Sequence, residues 1–158
     1  MSYWDITDEQ LNLHRQFLES GGTAGKRLEK QGGNYVGKDL SKMNLDQAFF
    51  QGADFTNANL DGISFAGADF SGARFINANL TNANFESADL GAAMLDGANL
   101  TGANLTKADC SGTSFRDSNM TNANCLDTDL IAAKLIGANQ TGLNLKGAIT
   151  TDAQGIEE

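Results

Sequence analysis

A large apolar residue recurs at every fifth position of this chain, from Tyr35 to Leu145, without one insertion. We call this residue the centre of its unit, and only Gln140 among the centres is fully polar. A period of five matches neither the 3.6 residues of an α-helical turn nor the two-residue repeat of a β-strand. Repetition of this kind indicates a repeat architecture, in which each unit packs on its neighbours.

The other positions of each unit favour tight turns. The inner small residue, usually Ala, lies two positions before the centre. The preceding residue, usually Asp or Asn, lies immediately before the centre. The following residue is often Ser or Thr, and the corner residue after it is often Gly or Asn, which tolerate a positive φ. A turn every five residues, with one large and one small apolar side chain on the same side, predicts a narrow solenoid. Equivalent segments of successive coils then pair as in a parallel β-helix.

Units such as Ala53-Asp54-Phe55 and Ala98-Asn99-Leu100 resemble the pentapeptide-repeat family, whose pattern is Ala-(Asp/Asn)-Leu-X-X. The resemblance covers residues 33–150. It implies an all-β fold, a right-handed quadrilateral β-helix of about six coils with four units in each. It also implies that the centre and the inner small residue point into the bore, and that the other three positions face solvent.

Four units per coil place residues 20 apart in one column, about 4.8 Å from each other. The centres then form four columns, which define four sides. The first side has Phe55, Phe75, Leu95, Phe115 and Leu135; the second has Leu40, Leu60, Leu80, Leu100 and Met120; the third has Leu45, Phe65, Phe85, Leu105, Cys125 and Leu145; the fourth has Phe50, Phe70, Leu90, Cys110 and Leu130.

The two ends depart from the repeat. Residues 1–33 are predicted to form an N-terminal α-helical cap and an entry turn, because Thr7 and Gln10 have the spacing of a capping box before an apolar helical stripe. Residues 26–28 look like a repeat unit in a shifted frame. Residues 34–150 form the β-helix, and residues 151–158 are expected to be a short acidic tail.

The charged and reactive residues argue against several functions. The chain has 158 residues, 11 Lys and Arg against 20 Asp and Glu, and a net charge of −9, which disfavours direct nucleic-acid or anionic-membrane binding. No secretion signal or apolar span is evident, and two cysteines make no disulfide scaffold, so we expect a cytoplasmic protein. His14 stands alone, Cys110 and Cys125 point into the bore, and a filled bore leaves no cleft. We therefore expect no enzyme activity and no cofactor or metal site.

Two outward features are candidate interaction surfaces. Along one side runs an acidic column, composed of Asp69, Asp89, Asp109 and Asp129. It is interpreted either as an electronegative stripe for a basic partner or as a set of carboxylates that bond their own turns. The second feature is a set of outward aliphatic residues, Leu126, Ile131 and Ile136, with Ile76 and Met94 on the side that carries Ile136.

These features predict a non-enzymatic, rigid protein-interaction scaffold, either a monomer or an end-to-end homodimer, whose protein partner the sequence does not name. The family resemblance implies an alternative, because some pentapeptide-repeat proteins mimic duplex DNA and protect or inhibit DNA gyrase or topoisomerase IV. Duplex DNA carries one charge per about 1.7 Å, and only the acidic column approaches that density. The chain also lacks the long C-terminal helix and the inserted loops of many such members.

Overall fold

The computed structural model describes residues 5–157, so the extreme ends of the predicted cap and tail, residues 1–4 and 158, lie outside it. One α-helix, α1, spans Asp8–Glu19. The predicted capping box is present: Gln10 N donates to Thr7 Oγ1 at 3.2 Å, and Thr7 N donates to Gln10 Oε1 at 3.1 Å. These two bonds satisfy donors that the first helical turn leaves without a carbonyl partner.

After α1 the chain winds as a solenoid held by parallel single-residue β-bridges between residues 20 apart. The ladder begins with Glu29 paired to Phe49 and ends with Lys134 paired to Gln154. A turn separates each bridge from the next, so every coil has four sides and each side contributes one bridge rather than a long strand. The period of 20 predicted from the sequence is therefore confirmed.

The bore is filled by the residues assigned to it. Centres from Leu45 to Leu135 and the alanines two before them are almost completely buried. Phenylalanines stack in register along the axis: the rings of Phe50 and Phe70 lie 5.4 Å apart and those of Phe55 and Phe75 lie 5.0 Å apart, nearly parallel in both pairs. Each buried Leu or Phe contributes about 1.5–3 kcal/mol, so this column is the main source of stability.

The backbone hydrogen bonds explain why Asp or Asn precedes each centre. In the unit centred on Leu100, four of the five N–H groups donate to carbonyl oxygens over 2.7–3.1 Å, three to adjacent coils and one to the previous centre. The fifth belongs to the following residue, and the ladder offers it no carbonyl. Thr101 N donates instead to Asn99 Oδ1 at 3.1 Å. We call this side-chain bond the turn cap.

The corners use a second pairing of small residues. Corner residues have positive φ, and an Asn or Asp in one coil often lies beneath a Gly in the next. A Cβ added at Gly97 would clash with Asn77 Oδ1, whereas a Cβ added at Gly112 would meet nothing within 4 Å. The side chain of Asn77 therefore favours glycine at position 97, whereas the positive φ alone does not, since Ala92 and Ala132 adopt φ of 55° at equivalent corners.

The ladder extends one unit past each end of residues 34–150. The unit expected in a shifted frame is instead in the main frame, with Leu28 buried as the inner residue and Lys30 in the centre position. At the other end Gln140, the polar centre, has a role. Its Nε2 donates to Gly155 O at 2.6 Å and its Oε1 accepts from Glu157 N at 3.2 Å, which holds the tail across the last coil.

Candidate interaction surfaces

Each carboxylate of the acidic column caps its own turn. The Oδ1 atom of each Asp accepts the N–H of its following residue over 2.8–3.0 Å. The side chains are thereby folded back on their own backbone, as one of the two interpretations expects. Among residues 5–157, the Oδ2 atoms of Asp89, Asp109 and Asp129 accept no hydrogen bond, so the column remains an outward line of negative charge.

Apolar residues occupy both ends of the acidic column. Phe49 lies one coil before Asp69, between it and Glu29 at the start of the ladder, with the Arg27 guanidinium 4.4 Å from its ring centroid. Ile149 lies at the last coil and is 50% exposed. From the sequence, Ile149 is recognised only as a departure from the repeat and is not included among the outward aliphatic residues, although an aliphatic residue in a position that normally carries the turn cap was a usable signal.

The outward aliphatic residues do not form one patch. Leu126, Ile131 and Ile136 follow successive centres, so they lie on the third, fourth and first sides respectively. Ile131 is 38% exposed and Ile136 is 44% exposed, while Leu126 is half-buried. Ile149 lies one coil beyond Asp129, so Ile131 and Ile149 are on the fourth side in successive coils.

The first side departs from the turn-cap pattern over four consecutive coils. Its preceding residues there are Arg74, Met94, Ser114 and Lys134, none of them Asp or Asn. The N–H groups of the corresponding following residues have no partner among residues 5–157; these residues are Ile76, Asp96, Arg116 and Ile136. From the sequence, this side is distinguished only by Ile76, Met94 and Ile136, and its missing turn caps are not predicted.

The first side also carries a cluster of cations. Arg74 Nε lies 3.6 Å from Asp54 Oδ2, and the same guanidinium approaches the sulfur of Met94 at 3.9 Å. Neither Arg116 nor Lys134 forms an ion pair within the described part of the chain. The unpaired positive charges of this acidic protein thus include two on the side that lacks turn caps.

The second side has the opposite character. Over its last four coils the outward columns hold uncharged Asn and Thr in identical arrangements, in which each Thr hydroxyl donates to the Asn Oδ1 of its own unit over 2.6–2.8 Å. Asp39 and Asp61 occupy these columns in the earlier coils. Asn79 Nδ2 also donates to Asn59 Oδ1 at 3.0 Å in the coil before it. The regular bonding leaves few polar atoms free, which is typical of a structural side.

The reactive side chains are buried within the fold. Both cysteines are free, and burial raises the pKa of the Cys125 thiol to about 12 and that of Cys110 well above its ordinary value. His14 is the buried residue of α1, where Nδ1 accepts from Leu28 N at 3.2 Å. Burial lowers the pKa of His14, so the imidazole is held neutral.

Residues 5–157 contain no group of three or more His, Cys, Asp or Glu side chains placed to hold one metal ion. Over the same residues, no helix is both long and apolar enough to cross a lipid bilayer. A groove of about 440 Å³ lies between α1 and the first coil, lined in part by Leu11, Leu18 and Met43.

Comparison with known proteins agrees with this architecture. The family model described as pentapeptide repeats matches in eight copies, over residues 31–62, 39–72, 50–86 and 83–122. No curated protein sequence matches the chain.

Solved structures of pentapeptide-repeat proteins are also similar. One is alr5209 from Nostoc Pcc 7120, 29% identical over 65% of this chain and 78% of that one, with a TM-score of 0.53. Another is trypsin-treated QnrB1, a plasmid-mediated fluoroquinolone resistance protein, 22% identical over 80% of this chain and 70% of that one, with a TM-score of 0.52. Given the family-model match, the 20-residue ladder and the filled bore, this chain belongs to the pentapeptide-repeat family.

Proposed function

We propose that this protein is a non-enzymatic interaction scaffold that binds a protein partner through its outer sides. The observation that carries the proposal is the loss of turn caps from four consecutive coils of the first side. Each cap contributes about 0.5–1.5 kcal/mol, the usual net value of an intramolecular hydrogen bond. Positions that break a local stabilising rule over several repeats are expected where a surface has another role.

The composition of that side supports the same conclusion. Arg, Lys, Met and Ile occupy six of the eight outward positions that flank its centres over these coils, and Arg and Met are enriched in protein interfaces. The bore beneath is close-packed, so a solenoid of about six coils holds these side chains on a rigid rod about 29 Å long. Little conformational entropy is then lost when a partner binds.

Affinity purification with two matched double variants tests the proposal. Ile131→Asp/Ile136→Asp places a charge on the fourth and first sides, and Thr81→Asp/Thr121→Asp adds the same charge to the second side. Asp already occurs at a following position in Asp46, so both variants should fold. We expect a partner that is recovered with the wild type and the second-side variant and lost with the first. Identical recoveries from all three proteins would refute an interface on the fourth and first sides.

A second candidate is a DNA-mimicking binder of DNA gyrase or topoisomerase IV, in which the acidic column acts as the charged stripe. It is favoured by the free Oδ2 atoms of Asp89, Asp109 and Asp129. A gyrase supercoiling assay, with and without a quinolone, compares the wild type with Asp89→Asn/Asp109→Asn/Asp129→Asn. This candidate requires protection or inhibition at micromolar protein that the triple variant loses, and the absence of any effect would exclude it.

A further inference from the structure

The N–H group of Ile136 is a backbone donor that has no acceptor among residues 5–157, and side chains with unpaired positive charge lie beside it. Lys134 precedes the same centre, and Arg116 lies directly below Ile136 in the outward column of the first side. In most other units an Asp or Asn oxygen accepts the equivalent N–H, and here Lys offers no acceptor. The C-terminal tail packs against the backbone of Ile136 at the end of the solenoid, since a Cβ added at Gly155 would lie 2.6 Å from Ile136 N. Ile136 is 44% exposed, so a ligand can approach this unit from the outer surface.

Another unit of this chain shows that a carboxylate from elsewhere can fill the same position. Ser64 precedes Phe65 and cannot form the usual cap. Ala66 N instead donates to Oδ1 of Asp46, one coil away, at 2.8 Å, and Ser64 Oγ donates to the same oxygen at 2.6 Å. The uncapped N–H group therefore accepts a carboxylate that does not come from its own turn.

We propose that the first side binds a carboxylate of an acidic protein segment that also carries apolar side chains; the inference rests on the proposed scaffold function and names its partner class. Ile136 N–H donates to one carboxylate oxygen, and Arg116 and Lys134 supply the positive charge. Ile136, which is 44% exposed, and the half-buried Ile76 and Met94 supply apolar side chains along the same side. Two carboxylates oppose these cations. Asp96 lies directly below Arg116 in the outward column and accepts Ser114 Oγ at 2.7 Å, and Asp117 has its Oδ1 turned toward Gly137 at the corner.

A second copy of this chain fits the site less well. Its acidic column has the right spacing, but those carboxylates are bonded to their own backbone over 2.8–3.0 Å and cannot extend to a donor between neighbouring side chains. The carboxylate of a Glu or Asp in a flexible segment can reach the N–H group. The apolar and basic first side spans about 14 Å between Ile76 and Ile136, three strand spacings, which suits a short segment and a weak interface.

Fluorescence anisotropy with labelled synthetic peptides tests the proposal directly. The probe is an octapeptide of sequence Gly-Glu-Leu-Glu-Glu-Leu-Glu-Gly, and its control has Gln in place of every Glu. We expect the Glu peptide to bind at least about tenfold more tightly than the Gln peptide, and less tightly as salt is raised. Equal affinity of the two peptides would overturn the proposal.

Variants at one position separate the charge from the N–H group. Lys134→Gln removes the charge and leaves the donor free, whereas Lys134→Asn removes the charge and also caps the donor. We expect about fivefold weaker binding of the Glu peptide for Lys134→Gln, a larger loss for Lys134→Asn, and no change for the third-side control Lys146→Gln. Equal losses in the two Lys134 variants would refute the role of the N–H group.

Sedimentation velocity tests the other occupant. If the protein self-associates and Asp109→Asn dissolves the assembly, a second copy occupies the first side and the proposal is wrong. A monomer that binds the Glu peptide supports it. If the peptides fail while affinity purification still gives a partner that depends on Ile131 and Ile136, the scaffold function stands and the acidic-segment inference falls.

Discussion

Replacing Asp109 by Ala and by Asn separates the two roles of the acidic column. Asp109 Oδ1 accepts Ser111 N at 2.9 Å, so Ala removes both the turn cap and the charge. Asn keeps an oxygen in the capping position and removes only the charge. Because both substitutions relieve the same repulsion from Asp89 and Asp129, the difference in stability between the Ala and Asn variants measures the cap alone.

The expected changes in stability follow from the spacing of the carboxylates in the acidic column. Neighbouring carboxylates one strand spacing apart repel by about 0.9 kcal/mol per pair in water, and physiological salt reduces this to about 0.5 kcal/mol. Asp109→Asn is therefore expected to be more stable than the wild type by up to about 1 kcal/mol. Losing the cap costs about 1 kcal/mol, so Asp109→Ala should be close to the wild type and below Asp109→Asn.

Thermal and urea unfolding, each at low salt and at 1 M NaCl, measure these differences. A gap of about 1 kcal/mol corresponds to about 2–4 °C in Tm for a chain of this size. High salt should abolish the advantage of Asp109→Asn over the wild type and leave the gap between Asn and Ala unchanged. Equal stability of the Asn and Ala variants would refute the capping role.

Three further predictions test the corners, the bore and α1. Gly97→Ala should lower the Tm more than Gly112→Ala, because both residues have positive φ but only Gly97 lies against a side chain of the coil below; equal losses would contradict this. Ala78→Phe should destabilise the protein by at least about 2 kcal/mol in urea, since Ala78 is 1% exposed in a filled bore, and an unchanged midpoint would mean that it does not point inward. Burial holds the pKa of His14 below its ordinary 6.5, so its contribution to stability is complete above pH 6.5 and is lost as the pH falls through the lowered value. The wild type should therefore lose more stability than His14→Gln between pH 7 and pH 5, and parallel pH profiles would refute it.

Much of the fold could be predicted because one period fixes the position of every side chain. Once residues 20 apart are stacked, the bore and the four sides follow, and the burial of Leu100 or Phe70 needs no further information. The first unit, with Lys30 in the centre position, was harder to recognise. Its inner residue is Leu28, whereas most other units are recognised by a small inner residue. The role of Gln140 depends on where the tail crosses the last coil, and no local pattern encodes that path.

The candidate surfaces were predicted less completely for a geometric reason. Leu126, Ile131 and Ile136 are five residues apart, and neighbours in the repeat lie on different sides, so a patch must be sought at spacings of 20. The acidic column was found because its residues are 20 apart. The uncapped first side could be recognised only after the hydrogen bonds had identified the one N–H group that each unit leaves to a side chain.

Amide hydrogen exchange at Ile76 and Ile131 tests most directly whether the residue before each centre is there to cap that N–H group. The two amides belong to the same residue type in equivalent positions, but Ile131 N donates to Asp129 Oδ1 at 2.9 Å and Ile76 N has no partner among residues 5–157. Ile131 lies nearer the end of the solenoid, so fraying would work against the expected result. We expect exchange at Ile131 to be at least about tenfold slower than at Ile76 once intrinsic rates are corrected. Equal protection of the two amides, or greater protection of Ile76, would contradict the account.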